Sequence, residues 1–219
     1  MSASYTLVIG NKDWSSWSLR PWLALKMIGV PFTEDLIRLR HDSTTEEVQR
    51  RSPSGRVPVL QITEGGETYE VWDSLAICET LADRHPEARL WPDSPKLKAM
   101  ARAYAAEMHS GFADVREQLT MDFARKLPTP ALRDATKAQI ARILKSWGEA
   151  LSANAKDGGF LFGRFSIADC MYAPVCSRFR TYGILMPKEC EAYVERMFAL
   201  PAMGEWLAAA QDEINRGIS

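Results

Sequence analysis

Cysteine and histidine are both scarce in this chain, and what there is lies scattered. Cys78, Cys170, Cys176 and Cys190 form no Cys-x-x-Cys pair, and His41, His85 and His109 stand at no metal-ligand spacing beside them. That argues against a structural zinc site and a dithiol redox motif; it reads as four reduced, buried thiols in a cytosolic protein, with no metal. A charge excess is missing too. The formal net charge is −1, which supplies no global attraction to nucleic acid or to an anionic membrane. No apolar run approaches the ~20 residues of a membrane span. The opening "MSASYTLVIGNKDW" has no basic segment followed by an apolar one, so it does not read as a secretory signal. Internal repeats and low-complexity segments are absent as well. What remains is 219 residues, 46% hydrophobic and 25% charged, the composition of an ordered globular chain with one large domain or two modest ones.

The first eighty-odd residues alternate in character. "YTLVIG" is a short apolar strand. "SLRPWLALKMIG" carries Leu19, Trp22, Leu23 and Leu25 at helical spacing, with Gly29 and Pro31 as stop signals. "TEDLIRLR" suits a strand, and a short helix fits 44–50 within an otherwise loop-like stretch. "RVPVLQITEGGETYEVW" reads as two strands joined at Gly65-Gly66. "DSLAICETLADRH" is a second clear helix, with Leu75, Ile77, Cys78 and Leu81 on its apolar side. The order is β-α-β-α-β-β-α, a small α/β unit over 1–84. Residues 85–95 hold three prolines and no periodicity, as a linker does. From 96 onward strand signals stop: 96–125, 131–156, 166–182, 188–199 and 202–215 all read as helical, giving an all-helical domain over 96–219.

The most unusual stretch is "NKDWSSWSLRPWLAL", which places Ser15, Ser16 and Ser18 among three tryptophans where a strand hands over to a helix. Serines at a helix start are ordinarily N-caps. With Ser18 as the cap, Pro21 falls at the third helical position, where a missing N–H costs little; with Ser16 as the cap it would remove an intrahelical bond. Ser18 is therefore the better cap, leaving Ser15 and Ser16 for chemistry. In "SGRVPVLQI", Pro58 inside a strand pattern fits either an edge strand or a cis Val57-Pro58 bond that leaves the Val57 backbone open to a ligand. In "WDSLAI", Asp73 and Ser74 precede an apolar helix as caps do. "GRFSIADC" contains the capping box Ser166-x-x-Asp169, with Phe165 and Cys170 placed as its hydrophobic staple; this motif is structural.

Four of these features stand in one order: the serine-rich turn, Val57-Pro58 before a strand, Trp72-Asp73-Ser74 opening a helix, and a proline-rich linker to a helical domain. That ordered set resembles the glutathione transferase superfamily over the whole chain. Ser15-Ser16-Trp17-Ser18 is similar to the Ser-Ser-x-Ser turn of its zeta-like group, whose third residue is usually cysteine rather than tryptophan. The resemblance implies a thioredoxin-like N-terminal domain followed by an all-helical C-terminal domain. It implies that glutathione is the co-substrate and brings the thiol that this turn lacks. A serine hydroxyl and a helix N-terminus both favour a thiolate over its free pKa of ~8.5. Ser15 is the first candidate to bond the sulfur and Ser16 the second.

By the same resemblance, Ser74 and the helix N-terminus behind it take the γ-glutamyl carboxylate. Asp73 takes the α-ammonium, where the family more often has glutamate or glutamine. Val57 and Pro58 serve the cysteinyl backbone, Arg56 the glycine carboxylate, and Trp17 the rim. Trp14, Met108 and Phe112 are candidates for an apolar wall facing a hydrophobic electrophile. Met108 and Phe112, at i and i+4, equally suit a core stripe, and His109 suits a solvent or interface position better than that of a base. The function implied is a cytoplasmic, homodimeric, detoxifying glutathione transferase. The alternatives are a glutathione-dependent cis-trans isomerase of maleylacetoacetate type and a non-enzymatic binding protein of the same fold.

Overall fold

A computed structural model describes residues 3–154 and 158–219. β1 (Ser4–Gly10) is buried along most of its length because it is a central strand. It pairs in parallel with β2 (Thr33–Ile37) and antiparallel with β3 (Val59–Glu64), which turns at Gly65-Gly66 into β4 (Glu67–Trp72). The sheet order is β2-β1-β3-β4. Period-2 patterning fixes the register, with Leu7 opposite Leu60 and Leu60 opposite Val71. One face carries α1 (Ser16–Ile28) and α3 (Ser74–Arg84); the other carries α2 (Thr44–Arg51), under which Val8, Ile37, Val48 and Val59 form a small separate core.

The regular elements of the second unit are helices: α4 (Pro95–Ser110), α5 (Ala113–Gln118), α6 (Asp134–Asn154), α7 (Ile167–Thr181), α8 (Lys188–Phe198) and α9 (Pro201–Asn215). The final residues of the helix read over 131–156 lie outside the described residues. α7 is the central helix, buried along almost its whole length, and it packs on both α1 and α4. One continuous hydrophobic core therefore runs from Leu7 and Ile9 of the sheet to Trp147 of α6 and Met197 of α8. No helix among the described residues is long and apolar enough to cross a membrane.

Two boundaries differ from the sequence reading. The helical signal over 96–125 is two helices, because Gly111 and Phe112 break it. A β-carbon at Gly111 would lie 2.7 Å from the Glu107 carbonyl, and Phe112 adopts φ 58°. Beyond Gln118 the chain runs without helix to 133. The first helix begins at Ser16 with Ser15 as its N-cap, not at Ser18. The Ser18 hydroxyl is instead drawn to β1, where it accepts the Gly10 N–H at 3.1 Å. Pro21 consequently sits inside α1 and removes the N–H that would have bonded the Trp17 carbonyl.

Candidate functional site

The turn between β1 and α1 is built almost wholly from buried polar contacts. Ser15 and Ser16 are each 5% exposed. The Ser15 hydroxyl donates to Ser18 Oγ at 2.7 Å, and the Ser18 N–H reaches back to Ser15 Oγ at 3.4 Å. Hydroxyl protons rotate: when Ser18 donates instead, the Ser15 proton is free for an acceptor placed beyond the turn. The opening of α1 adds the positive end of a helix dipole at the same point.

Residues from the far end of the chain hold this turn. Glu213 of α9 is buried and accepts the N–H groups of Lys12 at 2.9 Å and Asp13 at 3.2 Å. The Trp206 indole donates to the Lys12 carbonyl at 2.7 Å, and the Asn11 amide donates to the Ile218 carbonyl at 2.8 Å. The Asp13 carboxylate in turn accepts from Phe123 and Ala124, tying the turn to the segment after α5. Burial raises the Asp13 and Glu213 carboxyls above their ordinary values, with the Asp122 charge adding to the effect at Asp13. Glu213→Ala strands two backbone donors and is expected to cost about 2 kcal/mol in urea unfolding. A cost below a few tenths would show that the turn holds itself.

Beside the turn lies a cleft of about 530 Å³, within the range of small-ligand sites. It is lined by Trp17, Arg56, Val57, Pro58, Asp73 and Ser74, the six residues that the sequence pattern assigns to one ligand, with Ser54, Trp72 and His109 completing it. Val57-Pro58 is cis, and the hydrogen bonds of the described residues use neither the N–H nor the carbonyl of Val57. Asp73 adopts φ 73° while Oδ1 caps α3 through the N–H groups of Leu75 at 2.9 Å and Ala76 at 3.2 Å. A non-glycine residue at such a φ persists only where its surroundings hold it.

The sequence favours a solvent or interface position for His109. In the structure His109 lines the cleft, its Nε2 lies 3.1 Å from Asp73 Oδ2, and its ring meets the Trp17 edge at 5.4 Å. Trp14, Met108 and Phe112 lie elsewhere. Met108 and Phe112 are buried in the hydrophobic core, and Trp14 is covered by the Arg40 guanidinium at 4.5 Å. The apolar wall expected from them is absent from this cleft's lining. Ser15 and Ser16 border the turn without lining the cleft itself.

Beneath the cleft floor lies Arg20, which the sequence reading passed over. Its sole signal was a charge inside the apolar run "SLRPWLAL". It is fully buried, and it donates from Nη1 to Ser74 Oγ at 3.3 Å. The thiols are no substitute for the turn's hydroxyls. All four cysteines are free and buried, and burial pushes the Cys78 and Cys170 thiols up. Among the described residues no group of three His, Cys, Asp or Glu side chains is placed to hold a metal ion.

Residues 14–84 match the family model of the glutathione S-transferase N-terminal domain, and residues 130–209 match that of the C-terminal domain. The chain is 24% identical over 196 residues to glutathione S-transferase omega-1 of Rattus norvegicus, covering 89% of this chain and 72% of that protein. It is 27% identical over 180 residues to the maleylacetoacetate isomerase of Pseudomonas aeruginosa, covering 78% and 80%. A crystal structure of maleylacetoacetate isomerase from Anaeromyxobacter dehalogenans, with glutathione bound in its active site, superposes with a TM-score of 0.68 at 26% identity, covering 94% of this chain and 95% of that one.

Proposed function

This chain belongs to the glutathione S-transferase family, and we propose that it binds glutathione in the cleft and activates its thiol for attack on an electrophilic carbon. The observation that carries this reading is the convergence of six residues from three separate stretches on one cleft beside the Ser15 turn. The γ-glutamyl carboxylate sits on Ser74 at the α3 N-terminus and the α-ammonium on Asp73. The open backbone of Val57 pairs with the cysteinyl residue, and Arg56 meets the glycine carboxylate. The sulfur then lies at the α1 N-terminus, where the Ser15 hydroxyl donates to it, and Ser16 is the second candidate for that bond.

The chemistry needs no protein nucleophile. Glutathione loses its thiol proton to solvent, the sulfur lone pair forms the new S–C bond, and the leaving group departs with the bonding pair of the electrophile. The protein supplies thiolate stabilisation and proximity. We place the protein in the cytoplasm, as a homodimer with Asp73 near the subunit boundary.

A second reading, glutathione-dependent cis-trans isomerisation, is favoured by the similarity to maleylacetoacetate isomerases. There the thiolate adds to a double bond, a single bond rotates, and the thiolate leaves unchanged. Against it, Trp17 departs from the residue usual in that group.

The test is a titration of glutathione followed by thiolate absorbance across pH. Binding should come with a thiol pKa below the free value of ~8.5. An absence of binding, or an unshifted thiol, overturns the proposal. Turnover of an aromatic halide against that of a cis-unsaturated keto acid then decides between transfer and isomerisation.

A further inference from the structure

Arg20 is a buried charge with no carboxylate at ion-pair distance among the described residues. It is 0% exposed. Arginine does not give up its proton in proteins, so the charge is real. Desolvation, and then repulsion from Arg116, pull its pKa down to about 9, still protonated at neutral pH. The Trp17 ring covers the guanidinium at 4.1 Å, and Nε has no hydrogen-bond partner. Asp73 attracts Arg20, but its carboxylate is engaged by the α3 cap and by His109. Arg116 and Arg178 do not relieve the charge. Each donates to backbone carbonyls around α5, Arg116 to Gly111 and Arg178 to Arg116 and Leu119. A buried cation without a counter-charge is costly, and a fold keeps one where a ligand supplies the anion.

The contact with Ser74 shows how that anion is met. Nη1 donates to Ser74 Oγ, so a lone pair of that oxygen is taken, and the Ser74 proton has no acceptor among the described residues. We infer that Arg20 is a positioning residue for the ligand's carboxylate: it fixes the Ser74 hydroxyl as a donor into the cleft and places a buried positive charge behind it. The ligand never touches Arg20. A charge-assisted donor behind a hydroxyl strengthens the bond that hydroxyl makes, and the α3 N-terminus adds its own dipole. This inference rests on the glutathione reading and deepens it, because it explains why the γ-glutamyl carboxylate would be read by a hydroxyl rather than by a surface cation.

The test compares calorimetric affinities for glutathione and for its analogue lacking the γ-glutamyl α-carboxylate. Wild type should prefer glutathione by about 10- to 100-fold, the value of one hydrogen bond to a charged group. Arg20→Met should erase that preference by weakening glutathione alone, while the ligand-free protein melts at the wild-type temperature or above it, since an uncompensated buried charge is gone. Arg20→Lys, which keeps the charge and loses the fork, should keep part of the preference. Ser74→Ala should erase the same preference, and Arg20→Met in that background should remove nothing further.

Equal weakening of both ligands by Arg20→Met makes Arg20 a packing residue and overturns the inference. If Arg20→Met does not fold, Arg20→Lys decides: a reduced preference supports the assignment and a full one overturns it. A wild type that binds both ligands equally removes the role of Arg20 and leaves glutathione standing. A wild type that binds neither overturns the glutathione reading and this inference with it.

Discussion

Ser15→Ala is expected to lower turnover by about 100- to 1,000-fold, the usual loss when one donor to a developing or resting anion is removed. Glutathione affinity should stay within about threefold, because the contacts proposed at Val57, Asp73 and Ser74 are untouched. The substitution has a second consequence that must be kept apart. Ser15 is the N-cap of α1, so alanine also costs about 1 kcal/mol of stability. Ser15→Gly separates the two, since glycine caps within a few tenths of a kcal/mol and has no hydroxyl. Both variants should therefore lose turnover equally while only alanine loses stability. The thiol pKa of bound glutathione should rise toward its free value in both, moving the rising limb of the pH–rate profile to higher pH. Ser16→Ala should leave that limb in place. If the limb moves in Ser16→Ala and not in Ser15→Gly, the activating hydroxyl is Ser16.

Ser18 belongs to the same argument. Its oxygen receives the Gly10 N–H and shares a proton with Ser15. It is a strut between β1 and the turn, and a polarising neighbour for the residue proposed to contact the sulfur. Sequence alone put the cap at Ser18 because Pro21 is cheapest near a helix start. The tertiary bond from β1 overrides that local preference, and no spacing within α1 could have revealed a donor from a strand eight residues earlier.

The legible parts are those set by local periodicity. The alternation in "YTLVIG" and "RVPVLQI" and the apolar spacing of "DSLAIC" specify their elements because each pattern buries one face. The cleft-lining set around Val57 and Asp73 is legible as an ordered set of motifs, and it is the family resemblance of that set that assigns three stretches distant in sequence to one ligand. Orientation within a helix was harder to read. Met108 turns to the core from the last turn of α4, and Phe112 reaches the same core from beyond the helix end, so their i, i+4 spacing is not that of one helix face. His109 lies about 100° around α4 from Met108, which carries it off the core-facing side and onto the cleft. A polar residue bordering an apolar stripe was the available clue. Arg20 was hidden for a different reason: a lone arginine in an apolar run is most often a surface residue whose stem packs, and only burial without a counter-ion separates the two cases.

Asp169→Ala is expected to destabilise the fold by at least about 3 kcal/mol, because several buried donors lose one shared acceptor. The Asp169 carboxylate accepts from the Ser166 N–H at 2.8 Å, the Ser166 hydroxyl at 3.0 Å, the Leu161 N–H at 3.2 Å and the Tyr193 hydroxyl at 3.0 Å. It thereby joins the start of α7 to the loop before it and to α8, and α7 is the helix against which α1 packs. A weak α7 therefore loosens the platform under the serine turn as well. The pH dependence distinguishes this site from an ordinary cap. Burial is the largest influence on Asp169 and lifts its pKa from 3.8 to about 6, against the pull of its four donors. Between those values the native state holds a proton that the unfolded chain has released, so the contribution of this group to stability is complete below 3.8 and is lost as pH rises through about 6. Asp169→Asn lacks that titration. The stability gap between wild type and Asp169→Asn, measured by urea unfolding, should be larger near about pH 4.5 than near about pH 7. A gap that widens as pH rises would show that Asp169 works as a fully ionised acceptor, with its donors outweighing burial.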